Sequence, residues 1–510
     1  MYEPRDRHTY DVRGFSGDEQ ESPFTNRQLV VVSNRQPYRH TWAEDGTTAV
    51  DRPTGGLTAS LDPTMQHIGG TWVAWGDGDA DREVVDGNSC VSVPPEDPSY
   101  TIRRVWLSDE QIGDYYYGFS NRVLWPLCHS SLATIRAKES YWEQYQQTNE
   151  QFARVVSEEA ADDAVIWLQD YHFGLAARRI REELGSSPLL MQFWHIPWPA
   201  TGLFDACPHG RDLLDGLLAN DMLGFHVGQY CHKFLECVDH EFDDTSINWR
   251  TGTVSYRGST TRVRAIPMGV PVNQIQEKAS DFTTSEYDEF KSVRDIDADT
   301  KIAVGVDRLD YSKGIPERLH ALELFWEHHP EWQGSMTHVL NLSESRSEIP
   351  AYQRLQQRVS DGIARINDRF GTDDWQPVME IEEHLSQREL YGLYRYADVG
   401  LVTPVCDGLN LVAAEYAAAQ IDTDGVLVLS DQSGVHDVVG ESAVSISPYN
   451  PGQIAEQFER ALTMGEPEKT SRMKEIRQSV AENDLEAWIQ KNAAVAGKTI
   501  SEREVSSTST

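Results

Sequence analysis

Arg308 and Lys313, in the stretch IAVGVDRLDYSKGIPER (302–318), place two cations on a tight turn after an apolar run. Ile302 to Val306 reads as a short buried strand, and a helix follows with Pro316 in its first turn. The cations therefore sit at the carboxyl end of a strand, the rim where open α/β sheets bind ligands. Arg as a planar fork and Lys as a point charge suit a diphosphate. A solvated surface turn explains this stretch equally well when it is taken alone. A second stretch, TPVCDGLNLVAAEYAAAQ (403–420), decides between them. A strand ends at Thr403-Pro404, a turn carries Asp407-Gly408, and an Ala-rich helix starts with its positive end toward the same rim. Glu415 lies four residues after Leu411, on the same helix face. That arrangement suits a nucleotide sugar, with the helix end for phosphate, Glu415 for ribose hydroxyls and Asp407 for a sugar hydroxyl. A DG turn before a helix is common by itself; with Arg308 and Lys313 it becomes a site.

These residues need strands and turns to hold them. In the N-terminal half, QLVVVSNR (28–35) is a buried strand ending in Ser33, Asn34 and Arg35. Gly55-Gly56 then precede a short helical pattern, where backbone N–H groups can approach a phosphate, although GG alone more often marks a plain turn. AVIWLQDYH (164–172) and LLMQFWHIPWP (189–199) flank the helical GLAARRIREELG (174–185). Such strand–helix–strand spacing predicts a parallel sheet. It leaves Asp170, His172 and His195 at strand ends, where a buried Asp or His is more often structural than catalytic. The second half repeats the logic: strand 302–306, helix 316–328, strand 336–343, helix 351–370, strand 377–381, helix 386–396, strand 399–404, helix 409–420, strand 425–430. The fold class is α/β, with two Rossmann-like doubly wound domains facing a central cleft. The domain boundary falls where Pro267 and Pro271 surround a Gly.

The chain has 510 residues, enough for more than one domain, and 39% hydrophobic residues, an ordinary globular composition. Its charge is unusual: 81 Asp and Glu against 45 Lys and Arg give −36, and Lys is scarce beside Arg. That balance excludes nucleic acid and anionic membrane as partners. Spread along the whole chain, it is the pattern of a protein kept soluble in very salty cytoplasm, where screening removes self-repulsion; a merely acidic mesophilic enzyme is the alternative. Six cysteines show no CxxC pair and no metal-ligand spacing, so they read as reduced thiols. No apolar run approaches a membrane span and the start lacks a signal-peptide core, which predicts a cytoplasmic protein.

With these stretches assembled, the chain resembles the trehalose-6-phosphate synthase family, retaining glucosyltransferases of the GT-B fold. The motifs VVVSNR, GGL, YYxxFSNxVLWP, DYH, HIPxP, RLDYSKGxPER and DGxNLVAxEY carry the likeness, collinear from about Gln28 to Val495. Polar, aperiodic composition predicts a disordered tail over 1–26, and the Pro267/Pro271 boundary divides an acceptor domain over 27–268 from a nucleotide-sugar domain over 269–467. Helices over 468–495 are expected to cross back to the first domain, with a disordered tail over 496–510.

The resemblance also implies roles. Arg35 and Arg346 grip the phosphate of glucose-6-phosphate, one from each domain, helped by Tyr116 and Trp125. Trp75 and Asp170 contact the acceptor sugar. Gly56, Arg308, Lys313, Asp407, Asn410, Leu411 and Glu415 form the nucleotide-glucose site, and His195 meets the donor glucose. The catalytic set is thus Arg308, Lys313, His195 and Asp170. The sequence departs from the family pattern at Gln169, where His often precedes DYH, and at Trp198.

A double displacement would need a carboxylate nucleophile at the anomeric carbon, and the matched motifs offer none in that role. Front-face attack is therefore favoured, with Arg308 and Lys313 stabilising the leaving diphosphate. No metal or other cofactor is expected, since the motifs lack clustered carboxylates. The product would pass to a separate trehalose-6-phosphate phosphatase, and homo-oligomerisation is left open. Two other readings are a glucosylglycerol-phosphate synthase and an inactive sugar-phosphate-binding regulator. Retention of Arg35 and Tyr116 argues against the first, and the intact donor residues against the second. The donor base is not legible, because this fold reads bases largely through backbone groups.

Overall fold

Hydrophobic strands flanked by amphipathic helices build two doubly wound units, one comprising residues up to Ile266 together with those from Ile489 on, the other Pro267–Trp488. The computed structural model describes residues 22–52, 56–383 and 385–508.

In the first unit the sheet has ten strands. Seven run parallel, in the spatial order Ser259–Ala265, Met222–Phe225, Leu189–Phe193, Val165–Gln169, Leu29–Ser33, Thr71–Trp75 and Tyr100–Val105. Antiparallel strands close both ends: Thr253–Tyr256 and Ser246–Asn248 at one, Cys90–Val93 at the other. Leu29–Ser33 is buried at every position, as is Val165–Gln169. Strands covered on both faces read as continuous apolar runs, which is why VVV and VIWL signal them in sequence. From Leu29–Ser33 the chain first builds one side of the sheet and then the other, so the order reverses between Leu29–Ser33 and Val165–Gln169. Their carboxyl ends are the switch point at which such sheets bind ligands.

The second unit has a six-stranded, wholly parallel sheet. Its order is Val378–Ile381, Met336–Ser343, Lys301–Arg308, Val399–Val402, Val426–Ser430, Val444–Ile446. Here the reversal lies between Lys301–Arg308 and Val399–Val402, whose carboxyl ends lead into the two stretches rich in candidate residues.

Several sequence expectations differ from the structure. The first 21 residues of the expected N-terminal tail lie outside the described residues. Within the rest of it, Pro23–Asn26 forms a helical turn. Phe24 is buried against Trp167, with ring centroids 5.4 Å apart. The helix Glu466–Glu482, expected to cross back, belongs to the second unit, where Met473, Ile476 and Val480 are buried. The crossing is made by Leu485–Thr508. This helix extends through the segment expected to be a disordered tail from 496. Its polar composition looks tail-like, but tertiary partners hold it. Ala493, Val495, Ala496 and Thr499 are buried, Glu504 pairs with Arg27 at 3.2 Å, and Glu502 and Arg503 pair with Arg262 and Asp221. Among the described residues no helix is long and apolar enough to cross a membrane.

The acid excess predicts a salt response. Exposed pairs such as Arg369–Glu327, 3.1 Å apart, are screened by solvent and contribute little, so they cannot offset repulsion at a net charge of −36. We expect the thermal midpoint to climb as KCl is raised from 0.1 M to molar concentration, read by circular dichroism. A midpoint indifferent to salt would contradict the halophilic reading of the composition.

Candidate active site

At the switch point of the first unit lies a cavity of about 500 Å³. Asn34 and Arg35 line it from one strand end, and Gln169, Asp170 and His172 from its neighbour. Arg35 donates from Nη1 to Asp77 Oδ2 at 2.7 Å and from Nη2 to the Tyr116 hydroxyl at 3.1 Å. Its guanidinium carbon lies 5.0 Å from the Tyr116 ring centre and 5.3 Å from that of Trp75. Cation–π contact on two rings holds the head in place while the side chain stays about half exposed, at 48%. Asp77 is itself fixed: Gln36 Nε2 donates to its Oδ1 at 2.8 Å, and Gln36 Oε1 accepts from the buried Arg104 at 3.0 Å. Tyr116 comes from a π-helix, Ile112–Leu124, a geometry that recurs at functional sites.

Asp170 has φ of +73°, a left-handed region that costs a non-glycine residue about 1–3 kcal/mol and tends to persist only at sites that use it. Its Oδ1 accepts from the backbone N–H of Tyr171 at 2.9 Å and of His195 at 3.3 Å. His195 Nε2 lies 2.9 Å from Gln169 Oε1. An amide oxygen only accepts, so Nε2 carries the hydrogen and Nδ1 is left as the acceptor. Burial, and then the nearby His226, hold the His195 pKa well below the usual imidazole range. At neutral pH it is uncharged. Gly56, expected at the nucleotide-sugar site, opens the helix Gly56–Ile68 with φ of +77°; the next two residues, Leu57 and Thr58, line the same cavity as Arg35. Trp125 is buried one layer back, stacked on His129 at 4.0 Å and 5.9 Å from Tyr171.

At the switch point of the second unit, the strand Lys301–Arg308 gives way to a 3₁₀ turn, Tyr311–Lys313, and then to the helix Ile315–His328. Arg308 ends the strand and is exposed. Gly314 turns the chain with φ of +65°, and a Cβ there would lie 2.0 Å from the Thr403 carbonyl oxygen. Only glycine allows this loop to close against the end of the neighbouring strand. Val405 N–H donates to Ser312 O at 2.8 Å, tying the two candidate loops together. Lys313 Nζ reaches Asp407 Oδ2 at 2.5 Å, and Asn410 Nδ2 donates to the same oxygen at 3.1 Å. Asn410, at φ +79°, caps the helix Leu411–Ala419 by accepting from Ala413 N–H at 3.2 Å. Lys313, Asp407, Asn410 and Leu411 are thus brought together at one helix N-terminus, where partial positive charge favours a phosphate.

Glu415 lies on that helix, partly buried. Burial pushes its carboxyl up to about 7. A carboxylate accepts from ribose hydroxyls best when ionised, and this one ionises only as pH rises through about 7. If Glu415 takes the ribose role that the resemblance implies, affinity for a nucleoside diphosphate should therefore increase with pH across that range. Titration calorimetry between pH 5.5 and 8.5 checks this, with Glu415→Gln expected to bind more weakly and without the pH dependence. A flat profile in the unaltered protein would remove Glu415 from the ribose site.

Arg346 follows the strand Met336–Ser343, with φ of +51°. Its Nη1 lies 2.9 Å from Asp310 Oδ2 and 2.6 Å from the Tyr352 hydroxyl. Asp77, Asp310 and Tyr352 escape sequence reasoning. Their roles come from partners far along the chain, and a polar GDGDAD loop or a lone helical Tyr carries no signal of them.

The glycosyltransferase family 20 model matches residues 27–496. A Schizosaccharomyces pombe protein named alpha,alpha-trehalose-phosphate synthase [UDP-forming] is 31% identical over 94% of this chain and 91% of its own. A solved E. coli structure bound with UDP-2-fluoro glucose superposes with a TM-score of 0.82 at 30% identity, covering 92% of this chain and 98% of that one. A Burkholderia xenovorans alpha,alpha-trehalose-phosphate synthase (UDP-forming), solved with glucose-6-phosphate, has a TM-score of 0.81 at 29% identity, covering 92% and 100%. With a family match over nearly the whole chain and two doubly wound units of the GT-B kind, this chain belongs to glycosyltransferase family 20.

Proposed function

We propose that the protein transfers glucose, with retention of configuration, from UDP-glucose to glucose-6-phosphate, giving α,α-trehalose 6-phosphate. The observation that carries this reading is the convergence of Lys313, Asp407 and the Leu411–Ala419 helix end at the second unit's switch point. Relatives named UDP-forming synthases support the choice of donor, and a relative solved with glucose-6-phosphate supports the acceptor.

The diphosphate lies against the helix N-terminus with Lys313 and Arg308 as its counter-charges. Lys313 enters this role from its ion pair with Asp407, so the ammonium is already desolvated and aimed before the donor arrives, and little reorganisation is needed. Asp407 accepts from a hydroxyl of the transferred glucose and Glu415 from the ribose. Arg35 and Arg346 serve the acceptor phosphate, and Asp170 and Trp75 the acceptor sugar. Neutral His195, with Nδ1 as acceptor, serves the donor glucose. The acceptor hydroxyl attacks the anomeric carbon on the face the diphosphate leaves from, and its proton passes to the departing diphosphate oxygen. No carboxylate is assigned to the anomeric carbon, which is why a covalent glycosyl intermediate is not part of this scheme. The product remains a phosphomonoester, so a separate phosphatase must act to release the free disaccharide. The reaction is assigned to the cytoplasm.

Turnover of UDP-, GDP- and ADP-glucose against glucose-6-phosphate, glucose and glycerol 3-phosphate tests the reading. Fastest turnover is expected with UDP-glucose and glucose-6-phosphate. Preference for glycerol 3-phosphate would make the protein a glucosylglycerol-phosphate synthase, and binding without turnover would make it a regulator.

A further inference from the structure

Asp310 is fully buried, yet both of its carboxylate oxygens are engaged, and they face two different assigned functions. Oδ1 accepts from Ser312 N–H at 3.0 Å, capping the turn that carries Lys313, and the backbone carbonyl of Asp310 accepts from Lys313 N–H at 3.0 Å. Oδ2 pairs with Arg346 Nη1 at 2.9 Å and accepts from the Tyr352 hydroxyl at 2.8 Å. The two loops leave adjacent strand ends, since Arg308 stands opposite Ser343 in the parallel register and Leu309 N–H donates to Ser343 O at 2.8 Å. Ser312, held on one side by Asp310, accepts on the other from Val405 N–H. A continuous set of bonds thus runs from Arg346 through Asp310 to Ser312, and onward to the loop of Asp407.

We infer that Asp310 is a positioning residue that couples acceptor binding to donor binding, transmitting occupancy of Arg346 by the acceptor phosphate to the turn that holds Lys313. The inference rests on the assignment of Arg346 to that phosphate. An anion arriving at Arg346 shares the guanidinium with Asp310 Oδ2. The Arg346 side chain is only 6% exposed and that of Asp310 0%, so neither charge gains water in compensation. Any shift of the guanidinium is felt by the one carboxylate whose other oxygen sets the Ser312 N–H. Packed elements with few alternative arrangements pass on such shifts instead of absorbing them. Coupling of this kind is reciprocal: the factor by which glucose-6-phosphate tightens UDP is the factor by which UDP tightens glucose-6-phosphate.

The test is calorimetric titration of UDP with and without saturating glucose-6-phosphate, on the unaltered protein and on Asp310→Asn, Tyr352→Phe and Arg346→Ala. The unaltered protein should bind UDP about fivefold or more tightly when the acceptor is present. Asp310→Asn keeps the shape but removes the charge; its coupling factor should fall to near one while UDP alone binds within about threefold of the original. Tyr352→Phe, which removes the hydroxyl that accepts from Arg346 Nη1 and donates to Asp310 Oδ2, should lose part of the coupling. A merely structural Asp310 would lower the melting temperature and leave the ratio intact. Independent binding in the unaltered protein, or full coupling in Asp310→Asn, overturns the inference. If Asp310→Asn does not fold, full coupling in Tyr352→Phe overturns it instead. Arg346→Ala separates the two claims: unchanged glucose-6-phosphate affinity in that variant would remove Arg346 from the acceptor site, whereas weakened affinity with coupling retained in Asp310→Asn would refute only the role of Asp310.

Discussion

Lys313→Ala should lower kcat by about two to three orders of magnitude, the usual cost of removing one preorganised group that meets charge developing on a leaving group. The ammonium stands 2.5 Å from Asp407 Oδ2, and both side chains are about nine-tenths buried. Truncation therefore removes the counter-charge and also leaves Asp407 without its cation. Charge on the diphosphate grows as the glycosidic bond breaks, so the loss falls mainly on the transition state, and kcat and kcat/KM should decline together. Lys313→Arg should not restore the rate, because a planar fork cannot take the place of a compact ammonium beside Asp407. Steady-state kinetics with UDP-glucose varied at saturating glucose-6-phosphate read the effect. A variant that kept kcat and changed only the donor KM would show that Lys313 binds the diphosphate without assisting its departure.

Arg346→Ala should raise the KM for glucose-6-phosphate steeply and leave UDP affinity in the absence of acceptor nearly unchanged. Removing one partner of a desolvated charge pair costs about 2–5 kcal/mol, and the Arg346 side chain is almost wholly buried beside Asp310. Glucose, which has no phosphate to lose contact with, should be used no worse by the variant than by the unaltered protein. The ratio of kcat/KM for the phosphorylated and free sugars is the discriminating quantity. Its persistence at the original value would remove Arg346 from phosphate recognition.

What the sequence made legible follows from how each element is stabilised. Met336–Ser343 has the bounds read from MTHVLNLS, and Pro350–Phe370 lies within a residue of its expected start, because a buried parallel strand and a long amphipathic helix write their environment into periodicity. Val444–Ile446, three residues long, is too short to show a period. The π-helix at 112–124 shows in the sequence only as the motif YYxxFSNxVLWP, since no sequence period distinguishes its wider turn from an α-helix. The final helix beyond 496 reads as a polar tail because its stability comes from Asp221, Arg262 and Arg27 on distant elements.

The same division holds at the site. Arg308, Lys313, Asp407 and Glu415 stand out because strand ends, glycine turns and a helix start are local signals. Asp310 also lies in that motif, yet nothing local reveals that its second oxygen holds Arg346, 36 residues away in sequence. Asp77, which fixes Arg35, is 42 residues from its partner. Gln169 departs from the family pattern, and its contact with His195 Nε2 gives that departure a chemical consequence, the choice of tautomer.

The most direct test of the central claim is proton NMR of the reaction of UDP-glucose with glucose-6-phosphate, following the anomeric signals as product forms. The account predicts one disaccharide phosphate with both anomeric centres in the α configuration, and UDP released in equal amount. A β linkage at the transferred glucose, or hydrolysis of UDP-glucose without a disaccharide, would contradict it.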